Sequence, residues 1–518
     1  MIQHKQPNFL PILFLLLLTP ACKNLDETFY DQESPKDFFK TEKGFIVLIG
    51  TAYSELYAFQ NHGGYMATQE VSSDEIMIPQ RGNDWGDDQW VRAHRHEYSP
   101  NHNGILNAWT MLYSGVNTCN RLIFQISQLT DQGIVDGTMA GPFLSELHVL
   151  RALWYFWLLD SFGNVPIIDR YDLPGNFQPA NNTRSEVFAF IEKELLEHVP
   201  LLTKEKKPAT YGRMTYYAGQ ALLAKLYLNA QVYKGVPEYA KSIAACDEII
   251  NSGKYSLEAD YFSNFNSANE GSVENILVIP YDKTNAPGFN LAHMTLHYNS
   301  QSTFRLTEQP WNGYCSLQEF YESYGDDDKR KGVWGNQKIR GNFFAGPQYE
   351  ADGVTPVKDP AADDPDGENL VFTPEINQHF PSCFRQAGVR IGKFEIPSGA
   401  TTNLSNDFPI FRYADILLTK AEALWRQDPA SVEALTLVNQ IRTRARVAPF
   451  AALSAGNLLA ERGRELFYEA WRRQDLIRFG VFGNARRWQP ASDKNKEIWP
   501  IPRAVLQAGS NLKQNPGY

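Results

Sequence analysis

The stretch from Gly212 to Leu257, GRMTYYAGQALLAKLYLNAQVYKGVPEYAKSIAACDEIINSGKYSL, places the strongest constraint on how this chain can fold. Its first half carries apolar or small residues at Met214, Ala218, Ala221, Leu222, Leu226 and Ala230. That three-and-four spacing puts one face of an α-helix against a partner. Ala240 to Ile250 repeats the pattern, and Gly235 and Pro237 separate the halves. Gly tolerates the turn, and Pro suits a helix start better than its interior. Ala224, Ala230 and Ser242 permit close helix approach, while Tyr227, Tyr233 and Tyr239 fill the gaps around them.

This hairpin resembles one tetratricopeptide unit, with Ala230, Tyr233, Tyr239 and Ser242 at the spacing of such a repeat. The same geometry is expected later in the chain. Phe408 to Trp425 reads as a helix and Ala434 to Val447 as its partner; Trp425 and Ala434 are nine residues apart, as are Tyr233 and Ser242. Leu458 to Phe479 reads as a third long helix. In the N-terminal half, helices are predicted from Thr41 toward the Gly63-Gly64 break, over Ile105 to Leu129, His148 to Ile168 and Ser185 to Val199. Between the two sets, residues 261–409 are rich in Gly, Pro, Asn and Asp, and their clearest strand-like run is Asn275 to Pro280. A short helix is read at Leu317 to Tyr324. The expected fold is all-α dominated: a tetratricopeptide-like helical-hairpin scaffold with a large loop-rich insertion and little β structure.

The N-terminus reads as a targeting segment. Lys5 precedes FLPILFLLLL, Phe9 to Leu18, an apolar run too short to span a bilayer and suited to a signal-peptide core. It ends in Thr19-Pro20-Ala21-Cys22, which resembles the lipobox of bacterial lipoproteins. Residues 1–21 are then the signal peptide and Cys22 the acylated anchor; the alternative is a secreted protein cut nearby. Acyl chains hold a protein on a membrane without embedding it. A net charge of −10 argues against nucleic acid, which wants a basic face. Cys119 and Cys246 lie in helical apolar patterns and read as buried thiols, whereas a disulfide between Cys315 and Cys383 stays open.

No catalytic signature emerges. GxSxG, HExxH, GxGxxG and a phosphate-binding loop are all absent. The two carboxylates of a glycosidase cannot be picked out from 59 acidic residues. His94 and His96 lack a further ligand nearby and read as hydrogen-bonded side chains. Asp363, Asp364 and Asp366 beside Gly367 match a calcium loop incompletely and read as a solvated acidic turn. No metal and no cofactor are expected. Residues 72–100 stand out instead as a loop rich in Asp, Gly, Trp and His, and large aromatics in such loops are ligand-contact candidates.

Several long motifs coincide in this chain. GRELFYEAWRRQDLIRFG from Gly463, FRYADILLTKAEAL from Phe411, PIPRAVLQAGSNLKQNPGY from Pro500, LRALWYFWLLDSFGNVPII and GTAY at Gly50 behind Cys22 together resemble the SusD/RagB family across essentially the whole mature chain. The resemblance implies a surface lipoprotein of Bacteroidota-type bacteria with four tetratricopeptide-like helix pairs and a variable loop region. Such proteins cap a SusC-like TonB-dependent outer-membrane transporter and capture oligosaccharides or, in the RagB branch, peptides; they are binding proteins, not enzymes. Lys23 and Asp26-Glu27 resemble the charged export signal for the outer face. The implied division is residues 22–260 as the N-terminal helical region and 261–518 as the RagB/SusD region, with loops over 261–409 and helices over 410–518. Peptide capture is the alternative, and an outer-membrane hydrolase the next.

A sugar ring presents a CH face to an aromatic plane while its hydroxyls need amide, carboxylate or guanidinium partners. Residues 72–90 supply Trp85 and Trp90 as platforms with Asp74, Arg81 and Asn83 beside them. The resemblance makes Tyr298 and Trp311 the opposing wall, with Phe304, Tyr314 and Trp334 among the other aromatics of the variable region. Arg464, Glu465, Glu469, Arg472, Arg473 and Asp475 are read as ion-pairing scaffold on one helix, and Asp328 with Arg330 as a structural pair.

Overall fold

The structure is a computed structural model that describes residues 41–332, 340–365, 367–508 and 511–518. Residues 1–21, read as a signal peptide, and Cys22, Trp334 and Asp366 lie outside the described residues. No described helix is long and apolar enough to cross a membrane.

The N-terminal half contains α1 (Glu42–Ser54), α2 (Tyr65–Val71), α3 (Gln89–His94), α4 (Asn103–Asp131), α5 (Gly137–Phe162), α6 (Arg184–His198), α7 (Tyr216–Leu228) and α8 (Tyr239–Ile250). Caps written in the sequence start several of them: Thr41 accepts from Gly44 N, Thr215 from Ala218 N, and Thr183 with Glu186 forms a capping box. α5 starts ahead of its apolar run and ends at Gly163, where φ is +68°. Its side chains are buried almost without interruption from Ser145 to Phe162, as expected of a helix that is apolar nearly all round. α4 and α5 meet closely because Gly115 faces Trp154; a Cβ there would lie 2.1 Å from the indole.

The C-terminal helices are α9 (Tyr413–Gln427), α10 (Val432–Ala445), α11 (Ala455–Leu466) and α12 (Arg472–Arg478). α8 packs on both α7 and α9, and α9 in turn on α10 and α11, so helices from both ends of the chain form one scaffold. The small residues of the hairpin explain the closeness. Ser242 is fully buried and its hydroxyl donates to the Ala224 carbonyl at 2.8 Å, a contact that a larger side chain would block.

Two helix expectations are corrected. Phe408–Arg412 is a strand, paired antiparallel with Asn275–Ile279; the helix begins only at Tyr413. The alternating Phe408, Ile410 and Arg412 side chains share one sheet face while Phe411 faces the other, and partners on both sides bury all five residues. Leu458 to Phe479 is not continuous: Tyr468 and Ala470 adopt φ of +55° and +61°, and the chain between α11 and α12 is non-helical. The charged residues there consequently pair mostly across the fold rather than along one helix.

Strand pairing also shapes the insertion. With strands numbered β1 (Ile76–Met77), β2 (Asn275–Ile279), β3 (Cys315–Ser316), β4 (Phe343–Phe344), β5 (Gly346–Pro347), β6 (Val371–Phe372), β7 (Arg390–Ile391) and β8 (Phe408–Arg412), the described sheets are the two-stranded pairs β1-β3, β2-β8, β4-β7 and β5-β6. The β2-β8 pair pinches the insertion shut at its base. The β1-β3 pair joins it to residues 72–100. Cys119, Cys246, Cys315 and Cys383 are all buried free thiols, so no disulfide links Cys315 to Cys383.

Candidate functional site

Trp85 and Trp311 come together from opposite ends of this junction. The Trp85 loop turns back through paired backbone bonds between Arg81 and Asp84, and Trp85 itself has φ of +59°. Its indole Nε1 donates to the Trp311 carbonyl at 2.9 Å. Gly313 permits this approach, since a Cβ there would sit 2.9 Å from the Trp85 ring. Trp311 N donates to the His293 carbonyl at 2.7 Å, and the imidazole of His293 lies 5.5 Å from its ring. Both tryptophans are partly exposed.

His62 completes the group. Its ring lies 5.0 Å from that of Trp311 and stands edge-on to Trp85 at 6.5 Å. Asn290 Nδ2 donates to His62 Nδ1 at 2.8 Å, which leaves the proton of the neutral ring on Nε2 as a donor. Burial lowers the His62 pKa and favours that neutral form. Residue patterns gave no signal for His62 beyond its position before the Gly63-Gly64 break.

Tyr298 is the next aromatic along. Its hydroxyl donates to Asp84, and the Arg385 guanidinium lies 4.8 Å from its ring centre. Arg385 Nε pairs with Asp359 at 3.1 Å, and Asp359 also meets His297 at 3.0 Å. Burial pushes the Tyr298 phenol up, and the Asp84 bond adds to the shift. Tyr298 stays protonated and donating at neutral pH. Asn83 is exposed at the loop tip.

Three candidate contacts are engaged by their surroundings within the fold. Arg81 is 2% exposed: its Nε donates to the Asn312 carbonyl at 3.1 Å and its Nη2 to the Ala387 carbonyl at 2.7 Å, with Nη1 on Phe384. It clasps the Trp311 loop from behind. Asp74 receives Arg472 Nε at 2.6 Å and Nη2 at 3.0 Å, tying the loop to α12. Trp90 is 3% exposed and stands edge-on to His102 in the core. Tyr314 and Phe304 are likewise buried. Which aromatics remain accessible depends on long-range packing that loop composition does not encode.

The histidines follow the hydrogen-bonded reading. His94 Nδ1 lies 2.9 Å from the Val71 carbonyl, and His96 is bracketed by Ser492 and the Ser72 carbonyl. Among the described residues, His148, Glu194 and His198 are close enough to hold a metal ion. Arg151, however, donates to Glu194 at 2.7 Å and to His148 Nδ1 at 2.9 Å, so a guanidinium already occupies the cationic position.

Comparison with known proteins follows the same outline. The SusD family profile matches residues 251–518, and a second profile, described as starch-binding associating with outer membrane, matches residues 28–228. The starch-binding protein SusD of Bacteroides thetaiotaomicron is 29% identical over 420 residues, covering 72% of each chain. SusD-like protein P2 of Formosa agariphila is 25% identical over 98% of each chain. Among solved structures, a SusD superfamily protein from Parabacteroides distasonis has a TM-score of 0.74 at 23% identity, covering 92% of this chain and 99% of that one. Surface glycan-binding protein A from Bacteroides thetaiotaomicron, in complex with laminarihexaose, has a TM-score of 0.72 at 22% identity over 91% and 98%. These structural likenesses establish a shared helical fold.

Proposed function

The chain belongs to the SusD family, and on that premise we propose that it is a surface glycan-binding lipoprotein which hands oligosaccharides to a SusC-like TonB-dependent transporter of the outer membrane. In this reading Cys22 carries the lipid anchor on the extracellular face, after removal of residues 1–21. Residues 22–260 supply the scaffold and the Trp85 loop, and residues 261–518 supply the opposing wall and the closing helices. The protein binds its ligand without cleaving it. Two similar proteins support the ligand class: SusD is named as starch-binding, and surface glycan-binding protein A was solved in complex with laminarihexaose.

The observation that carries the reading is the group of Trp85, Trp311 and Tyr298, partly exposed and fixed before any ligand arrives. The Trp85–Trp311 hydrogen bond and the Arg81 clasp set the ring positions, so little side-chain entropy is left to lose on binding. Sugar CH faces stack on the rings, while His62 Nε2, Asn83 and Asp84 offer neutral and anionic partners for hydroxyls. Tethering at the membrane and contacts from the transporter would add avidity to modest intrinsic affinity.

Calorimetry of the soluble mature chain against a polysaccharide panel and a peptide mixture tests this. Heat with one or more glycans, with affinity weakened in Trp85→Ala, is expected. Heat with peptides alone would replace the glycan reading by peptide capture. Chromatography of the bound glycan after prolonged incubation should return it unchanged; shorter products would identify a hydrolase.

A further inference from the structure

A cavity of about 360 Å³ lies away from the tryptophan group, where the end of α10 meets the 259–262 turn and the 329–330 and 340 segments. Its lining is basic in a chain of net charge −10: Lys329, Arg330, Arg340, Arg444 and Arg446, with Asp260 as the single acid. These cations are not equivalent. Arg330 is satisfied by Asp328, Glu461 and Glu465, and Arg444 by Glu274 and Glu465. Lys329, Arg340 and Arg446 have no carboxylate partner among the described residues.

Arg340 is the informative one. Nη2 donates to the carbonyls of Phe265 at 2.8 Å and Lys393 at 3.0 Å, and Nη1 to the Asn266 side chain. All three acceptors are neutral. Its Nε is buried without a partner, as is the Nε of Arg444, whose side chain is 4% exposed. A guanidinium held against neutral acceptors in a partly desolvated cavity is electrostatically undercompensated. Burial accordingly lowers the Arg340 pKa to about 10, an effect that Glu395 and Asp260 offset only in part. Asp260 turns a carboxylate oxygen to Phe262 N at 3.1 Å, spending part of its charge on the local turn.

We propose that this cavity is a binding site for one compact oxyanion: a sulfate, a phosphate or the carboxylate of an acidic sugar. Guanidinium groups bind such anions through paired N–H donors, and Lys329 adds a point charge at the rim. The site is independent of the glycan-binding role proposed for the tryptophan group.

The test is calorimetry of the mature chain with sodium sulfate, sodium phosphate and sodium glucuronate, each compared with sodium chloride at equal ionic strength. One saturable site per chain is expected for at least one oxyanion and none for chloride. Binding by glucuronate alone assigns the site to an acidic sugar, and binding by sulfate or phosphate alone to a tetrahedral anion; either sustains it. Arg340→Gln should weaken binding about tenfold or more, the scale of one lost charge-assisted hydrogen bond. The exposed double variant Lys329→Gln with Arg446→Gln should weaken it too, and serves if Arg340→Gln fails to fold. Trp85→Ala should bind the anion unchanged. Heat no greater than that of chloride, or undiminished binding in the double variant, would overturn the proposal, as would loss of anion binding in Trp85→Ala.

Discussion

Distant stretches of this chain converge at two places, and the chemistry differs between them. Where the insertion rejoins α9 to α12, Arg412 donates to Glu274, Glu465 and Glu469 at 2.6–2.8 Å, and Lys393 pairs with Glu469. Every one of these side chains is essentially inaccessible. At the Trp85 loop the converging groups are aromatic, partly exposed and held largely by neutral hydrogen bonds. A buried ion pair tolerates no loss of a partner, because the survivor keeps its desolvation penalty. An exposed ring can lose a neighbour and remain solvated. The first arrangement suits a fixed joint, and the second a surface that meets a changing partner.

The contrast is broken most severely at the ionic joint. Arg412→Ala removes the one cation among the described residues that contacts Glu274, Glu465 and Glu469 together, leaving Arg444, Arg330 and Lys393 to offset three buried carboxylates, and should lower stability by about 3–5 kcal/mol. Urea denaturation followed by circular dichroism reads this; a midpoint within error of the parent would show the joint to be dispensable.

Acid probes the same joint without mutation. Burial by itself raises the Glu461 carboxyl, but Arg330, Arg464 and Arg442, at 2.7–2.8 Å, overcome it and hold the group at about 2. A carboxyl depressed on folding contributes stability that is full above its unfolded pKa, about 4.5, and lost as pH falls through the folded value. Glu461 alone should account for about 3 kcal/mol lost between pH 4.5 and 2. Glu461→Gln should flatten the stability curve in that window; an unchanged slope would rule the residue out as its source.

At the platform the order of effects reverses, with affinity falling and stability largely kept. Trp85→Ala should weaken glycan binding by about 1–3 kcal/mol through lost stacking, while its melting temperature stays near that of the parent. Equal affinity in calorimetry would remove Trp85 from the site. The smallest effect is expected for Tyr298→Phe, which keeps the ring under Arg385 and deletes the hydroxyl that Asp84 receives. A loss of about 0.5–1.5 kcal/mol in binding is expected. A loss as large as that of Trp85→Ala would mean that the hydroxyl, rather than the ring, meets the ligand.

The helical scaffold was largely readable in advance. Ala224 and Ser242 announce the close crossing of α7 and α8, and the caps at Thr41, Thr183 and Thr215 lie where side-chain chemistry puts them. Two breaks were hidden. Phe408–Arg412 joins a helical pattern smoothly and becomes a strand because β2 pairs with it. The run through Phe467 to Trp471 keeps helical spacing, yet the Tyr468 and Ala470 amides turn to Glu75 and Glu70, which come from the far end of the chain. Among the site candidates, Arg81 and Trp90 have the composition of ligand contacts and the burial of core residues, while His62 carries no local mark at all.

Sequence alone determined the elements whose cause is local: three-and-four apolar spacing, capping side chains and small residues at helix crossings. Each depends on neighbours within a turn or two of the chain. Tertiary structure alone decided which aromatics stay accessible, which charges pair and where the helices break. Those outcomes depend on groups hundreds of residues away that cover a surface or supply a partner, and burial, unlike periodicity, is a property of the whole fold.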